Sequence, residues 1–261
     1  MINSLRAAFA ALLIFGLPVT ANASRVSPMI VELEPTGRGS IARVDLVNDG
    51  LRDLPFEVQM MRGVITPEGS LELTPADAEF VVFPAQTLVE SNSQQVFRIQ
   101  YVGEGALDQS EVYYMAIRQI PVGFDPGVSQ IQMVVNFNVL VNVVPDGATP
   151  EPVVRSVGFT TRSVPGPRDP ENPDIEPEPV EQRGVEVDLG NSGNRYYLAG
   201  LSNWTIRGRT TGGEAFSQTL GGDEASRLIG VGVVAPNANR IFFIPTEADL
   251  DESSLRIEID Y

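Results

Sequence analysis

A run of alternating apolar residues near the middle of the chain constrains the fold more than any other feature. Residues 131–145 read IQMVVNFNVLVNVVP. Every second position is apolar, namely Ile131, Met133, Val135, Phe137, Val139, Val141 and Val143. Because successive side chains of a β-strand point to opposite faces, this spacing predicts one long strand with an apolar face. At about 3.3 Å per residue the strand would be roughly 50 Å long, well beyond the usual five or six residues.

Two interpretations of this strand are open. It can be an ordinary strand of a sandwich core, which alternation taken alone favours. It can also extend past its own domain and lend its edge to another protein, because an exposed apolar edge readily pairs with other chains.

The first 23 residues have the pattern of a secretory leader. A single charge, Arg6, precedes a mainly apolar run at residues 7–19, and Ala21-Asn22-Ala23 supplies the small-x-small cleavage pattern. The run is shorter than the roughly 20 residues of a membrane span, and no second run of that length follows. We therefore expect cleavage after Ala23 and a mature protein outside the cytoplasm, without membrane insertion.

Composition excludes several classes of function. The chain has no Cys and no His, and all 18 basic residues are Arg. Thiol chemistry, Ser-His-Asp triads, His-bearing zinc sites and lysine Schiff bases are thereby ruled out. The net charge of −16 would repel nucleic acid and anionic lipid. We expect no enzymatic activity, cofactor, metal or small-molecule substrate, although the 34 acidic residues leave a carboxylate-based hydrolase open.

The first half of the chain has the pattern of an all-β protein. Short alternating segments separated by turn residues occur at 29–33, 41–47, 56–61, 80–83, 96–102 and 112–120. Strands at this spacing predict a β-sandwich, and no window predicts an amphipathic helix.

A proline-rich joint divides the chain. The joint predicts a first domain at residues 24–145, a linker at 146–152 and a second sandwich at 153–261. Strand-like segments of the second half lie at 153–160, 185–189, 196–206, 227–234, 240–244 and 255–261. Residues 163–183 combine proline and acidic residues with almost no apolar ones, so they predict a mobile loop. Trp204 is expected to anchor the second core.

Four segments of the first half, in order, resemble the periplasmic pilus chaperones of the chaperone–usher family. They are 47–59 (VNDGLRDLPFEVQ), 83–102 (FPAQTLVESNSQQVFRIQYV), 113–121 (YYMAIRQIP) and the long strand at 131–145. The resemblance implies two immunoglobulin-like domains set at an angle, and a location in the periplasm. It also implies pilin-like subunits and an outer-membrane usher as partners. The long strand would complete a subunit's open groove by β-augmentation, with Ile131, Met133, Val135 and Phe137 as the subunit-binding residues.

The chain departs from the family at one functional point. Members hold the subunit's terminal carboxylate with an Arg on the first strand and a Lys on the last strand. Here the first-strand position falls near Glu32 and the last-strand position on Leu140. The nearest arginines, Arg25, Arg38 and Arg43, do not match. The carboxylate anchor is therefore unassigned, and the resemblance is to a divergent member. The alternative is a secreted structural or adhesive protein that uses the strand in its own polymer.

Overall fold

The computed structural model describes residues 24–121, 134–170, 172 and 175–260. Ile131 and Met133 of the predicted long strand, and the predicted leader, lie outside these residues. Within the described ranges the chain consists mainly of β-strands arranged as two sandwiches, so the predicted all-β class is confirmed.

The described residues of the first domain form ten strands in two sheets. The strands are β1 Arg25–Ser27, β2 Ile30–Leu33, β3 Ile41–Asn48, β4 Leu54–Ile65, β5 Leu71–Pro75, β6 Phe80–Phe83, β7 Gln86–Val89, β8 Ser93–Tyr101, β9 Glu111–Gln119 and β10 Asn136–Val143. One sheet has the order β1-β3-β8-β6, and the other has the order β2-β10-β9-β4-β5 with β7 paired to β4. This is the A-B-E-D and G-F-C arrangement of an immunoglobulin-like sandwich.

The inner face of β10 helps to fill the core between these two sheets. Val139, Val141 and Val143 are fully buried there, beside Phe97 and Met115. Burial of each valine contributes about 1.5–3 kcal/mol. The predicted alternation is thus confirmed for this part of the long strand.

The described part of this strand is shorter than predicted. β10 begins at Asn136, and Val134 and Val135 precede it without strand geometry. Val135 is still bonded to the end of β9, where Gln119 N donates to Val135 O at 3.1 Å. Regular pairing of β10 with β9 therefore begins at Asn136, and the bond to Val135 lies one residue beyond it.

The second domain is a smaller sandwich. Its elements are β11 Pro152–Pro165, β12 Pro179–Asn191, β13 Tyr197–Leu198, β14 Asn203–Arg209, β15 Ala215–Leu220, α1 Gly222–Ile229, β16 Val233–Val234, β17 Asn239–Pro245 and β18 Arg256–Asp260. Two three-stranded sheets, β11-β12-β17 and β15-β14-β18, accompany the β13-β16 pair. Trp204 is fully buried in the core, and its Nε1 donates to Ala199 O at 2.8 Å, which confirms its predicted role.

The helix α1 was not expected from the sequence. Residues 227–229 form its last turn, so the strand predicted at 227–234 is wrong there and correct only at Val233–Val234. Asp223 and Glu224 lie in the first turn and Arg227 in the last, which matches the helix dipole. With only eight residues, the helix is too short for its period to stand out in the sequence.

The loop predicted at 163–183 is shorter than expected at both ends. Ser163 pairs with Glu181 and Val164 with Val180 in the β11–β12 hairpin, and Pro165 opposite Pro179 forms the last pair. Proline is tolerated at the end of a ladder because no further N–H is needed there. The proline content therefore limits the hairpin but does not prevent it.

The two sandwiches meet in a third apolar cluster. Val112, Leu140 and Val144 of the first domain pack there with Tyr196 and Val233 of the second. Main-chain bonds cross the same joint: Ser110 N donates to Asn194 O at 2.8 Å, and Ile241 N donates to Pro67 O at 2.7 Å. In the part of the chain that the structure describes, no helix is long and apolar enough to cross a membrane.

Candidate functional site

One edge of β10 is open near its beginning. β9 pairs with β10 along its whole length, from Asn136 to Val143. On the other side, β2 pairs in parallel only with residues 140–143. Among the described residues no strand covers the edge of β10 at residues 136–139.

Two asparagines present their main-chain groups to this open edge. Along an antiparallel strand, successive residues direct their N–H and C=O groups alternately to the two neighbouring strands. Val135 bonds to β9, whereas Leu140 N donates to Met29 O on the opposite side at 3.0 Å. Even-numbered residues therefore face away from β9. Asn136 and Asn138, both exposed, offer two donors and two acceptors to an incoming strand.

Two of the four predicted subunit-binding residues, Val135 and Phe137, belong to the described part of the chain. Val135 and Phe137 are half-buried, and Phe137 packs against the first-domain core. Their neighbour Val134 is 41% exposed. Ile131 and Met133 lie outside the described residues, so their predicted role stays a prediction.

The positions of the family's cationic pair hold no cation. Leu140 is buried in the joint, where its register partner on β2 is Ile30. Glu32, farther along β2, accepts hydrogen bonds from Arg195 Nη2 at 2.6 Å and from the Tyr196 hydroxyl at 2.8 Å. Arg25 is already in an ion pair with Asp49 at 3.1 Å. These contacts leave the carboxylate anchor unassigned.

Arg195 is a cleft residue that the sequence did not indicate. It lines a cleft of about 260 Å³ between the domains, together with Glu32, Glu34 and Asp146. Three carboxylates against one guanidinium do not favour a bound carboxylate. Across the described ranges, no group of three or more acidic residues is placed to hold a metal ion.

Several tyrosines near the joint and the first core hold their protons tightly. Burial, followed by its hydrogen bond to Glu32, raises the pKa of Tyr196 to about 12. Burial also raises the pKa of Tyr114. The pKa of Tyr113 is raised by burial and then by hydrogen bonds to Glu111 and Glu79. In each case the neutral phenol is the form that the fold stabilises.

These shifts predict a loss of stability in alkaline solution. As the pH passes the ordinary tyrosine value of about 10, the unfolded chain releases protons that the folded chain keeps, so the free energy of unfolding falls. No Lys or Cys titrates in this range because the chain has neither. Urea unfolding at about pH 8.5 and about pH 10.5 measures the effect, and Tyr196→Phe should reduce it. Equal stability at the two pH values would contradict the prediction.

Comparison with models of known protein families found no match, and comparison with curated proteins found none either. Solved structures do match. A class 5 fimbriae chaperone, CfaA, is 10% identical with a TM-score of 0.49, covering 92% of this chain and 99% of that one. The E. coli chaperone DraB is 15% identical with a TM-score of 0.47, covering 92% of this chain and 93% of its own. The Pseudomonas aeruginosa chaperone CupB2 is 13% identical with a TM-score of 0.43, and the match covers 90% of this chain and 99% of CupB2. These three solved structures, to which the chain is similar, are chaperones.

Proposed function

We propose that this chain is a periplasmic chaperone that binds pilin-like subunits and delivers them to an outer-membrane usher. In this proposal the beginning of β10 and the segment before it complete the open groove of a subunit. The chaperone acts by binding alone, without catalysis, cofactor or metal. Its partners are the subunit and the usher, and neither nucleic acid nor a small-molecule substrate is involved.

The open edge of β10 at residues 136–139 is the observation that carries this proposal. Asn136 and Asn138 have main-chain groups directed to it, and an added strand would satisfy them. Peptide binding by strand addition uses such an edge: main-chain bonds provide affinity, and alternate side chains provide specificity. The apolar alternation at Ile131, Met133 and Val135 supplies those side chains, whereas Phe137 packs against the first-domain core.

The expected energies are sufficient for a stable complex. Each main-chain hydrogen bond contributes a net of about 0.5–1.5 kcal/mol. Each apolar side chain that the subunit buries contributes about 1.5–3 kcal/mol. A few of both would shield a subunit that lacks its last strand from aggregation.

Asn138→Pro tests the edge directly. Proline removes the N–H that faces away from β9, so the ladder between β9 and β10 keeps all its bonds. We expect the subunit that co-purifies with the wild-type chain to bind this variant about 10- to 100-fold more weakly, because its acceptor loses a partner. The melting temperature of the free protein should change little. Calorimetry on the purified pair and thermal unfolding of the free variant are the two measurements.

Two matched variants separate the effect of the lost N–H from the effects of the lost side chain and of a broken ladder. Asn138→Ala removes the side chain but keeps the N–H, and we expect it to bind like the wild type. Val139→Pro removes an N–H that faces β9 and should destabilise the domain. If Asn138→Pro folds and binds the subunit with wild-type affinity, strand addition at this edge is wrong.

A further inference from the structure

Gln119 holds the end of β9 and the beginning of β10 together in an unusual way. Its main-chain N–H donates to Val135 O at 3.1 Å. Its side-chain Oε1 accepts a hydrogen bond from Val135 N, also at 3.1 Å. A single residue therefore binds both main-chain groups of Val135. The side chain that does so is almost completely buried, because Gln119 is only 6% exposed.

This arrangement replaces one bond of the normal ladder. In a hydrogen-bonded antiparallel pair, each residue donates its N–H to the main-chain carbonyl of the other. Here Val135 donates to the glutamine side chain instead. On the other side of β9, Ile120 N donates to Pro55 O of β4 at 2.8 Å. β9 thus continues toward β4, and its ladder with β10 ends at Val135.

Because Gln119 holds Val135 in place, it also fixes the register of β10, which begins at the next residue. Since side chains alternate with a period of two, a slip of one residue would move every side chain to the opposite face. It would also exchange the residues whose main-chain groups face the open edge. With both main-chain groups of Val135 held by Gln119, Phe137 stays on the core face, and Asn136 and Asn138 stay directed to the edge.

We propose that Gln119 is a positioning residue that fixes the register of the subunit-binding strand. This inference rests on the proposed function. Gln119 does not touch the subunit; it acts through Val135, whose main chain it holds. The position of the open edge of β10 along the strand depends on it.

The experiment compares Gln119→Met with Gln119→Glu. Methionine has a similar length and lacks the acceptor, whereas glutamate keeps a side-chain oxygen at the same position. All three proteins are compared at about pH 5, where burial favours the neutral form of the glutamate carboxyl. Hydrogen exchange of the Val135 amide, monitored by NMR in the free full-length protein, measures the protection that this hydrogen bond provides. We expect the exchange to be about tenfold faster in Gln119→Met and close to wild type in Gln119→Glu. The amide of Val141, near the middle of β10, is the internal control and should not change.

The second measurement is the dissociation rate of the subunit that co-purifies with the wild-type chain. We expect it to rise about tenfold for Gln119→Met and to be restored by Gln119→Glu, because interface changes act mainly on dissociation. A merely structural role would lower the melting temperature of Gln119→Met without changing this rate.

Three outcomes would overturn the inference. The first is a Val135 amide in the wild-type protein that exchanges as fast as an unprotected one, which needs no variant. The second is equal protection in Gln119→Met. The third is lost protection with an unchanged dissociation rate, which leaves the proposed function intact. Failure of the proposed function itself is recognised separately, by wild-type binding of Asn138→Pro.

Discussion

Replacing Met133 by aspartate is expected to abolish co-purification of this chain with its subunit while leaving the melting transition of the free protein nearly unchanged. Met133 shares its parity with Val135 and Phe137 in the alternating run, so strand addition would direct it into the subunit's groove. An unpaired carboxylate buried in such an interface costs several kcal/mol, which lowers the affinity by more than about 100-fold. Affinity purification of the exported protein, followed by calorimetry, measures the two effects.

Gln132→Asp is the matched control for this prediction. It introduces the same charge one residue earlier, on the opposite face of the alternating run. We expect it to keep the subunit bound. If Met133→Asp unfolds the free protein, Met133 is a core residue and the segment is an ordinary strand of the sandwich. If both variants fold and bind, the subunit is held elsewhere.

The inner face of β10 could be predicted from the sequence because its burial follows a local rule. Val139, Val141 and Val143 alternate with less apolar residues, and all three are fully buried between the two sheets. The core of a sandwich lies on one side of each sheet, so the period of two is sufficient to assign the face. The same period of two predicts most strands of both domains.

The outer face of the same strand could not be predicted in this way. Leu140 and Val144 are buried there because the second domain packs over them, with Tyr196 contributed from far along the chain. The alternation of residues within β10 carries no information about whether a second domain buries this face. The face looks mixed in sequence because it changes from exposed asparagines at the open edge to buried residues at the joint.

The polar contacts of the candidate site were missed for a related reason. Glu32 and Arg195 form an ion pair across 163 residues of sequence, so spacing carries no signal of it. Gln119 is a single polar residue at the end of a strand, and such residues are usually solvated. Only its burial and its bonds to Val135 distinguish it. The carboxylate anchor stays unassigned because the cleft is mainly acidic.

Replacing Asn142 by valine is expected to stabilise the protein. Asn142 lies on the outer face of β10, in register with Glu32 on β2 and Val112 on β9, and it is completely buried. Among the described residues, neither Oδ1 nor Nδ2 of its side chain has a hydrogen-bond partner. A buried polar group without a partner costs about 1–3 kcal/mol, and valine removes both atoms while suiting a strand.

The expected increase in the free energy of unfolding is therefore about 1–3 kcal/mol, measured by urea unfolding at neutral pH. Asn138→Val is the matched control on the same strand. Its side chain is exposed, so we expect a change within about 0.5 kcal/mol. A loss of stability in Asn142→Val would mean that the amide has a partner in solution or that the joint does not accommodate valine. A gain confined to Asn142→Val would mean that the buried asparagine costs stability. Asn142 would then be a residue of the joint that folding does not require. It lies near one end of β10, and we propose that the other end of this strand binds the subunit.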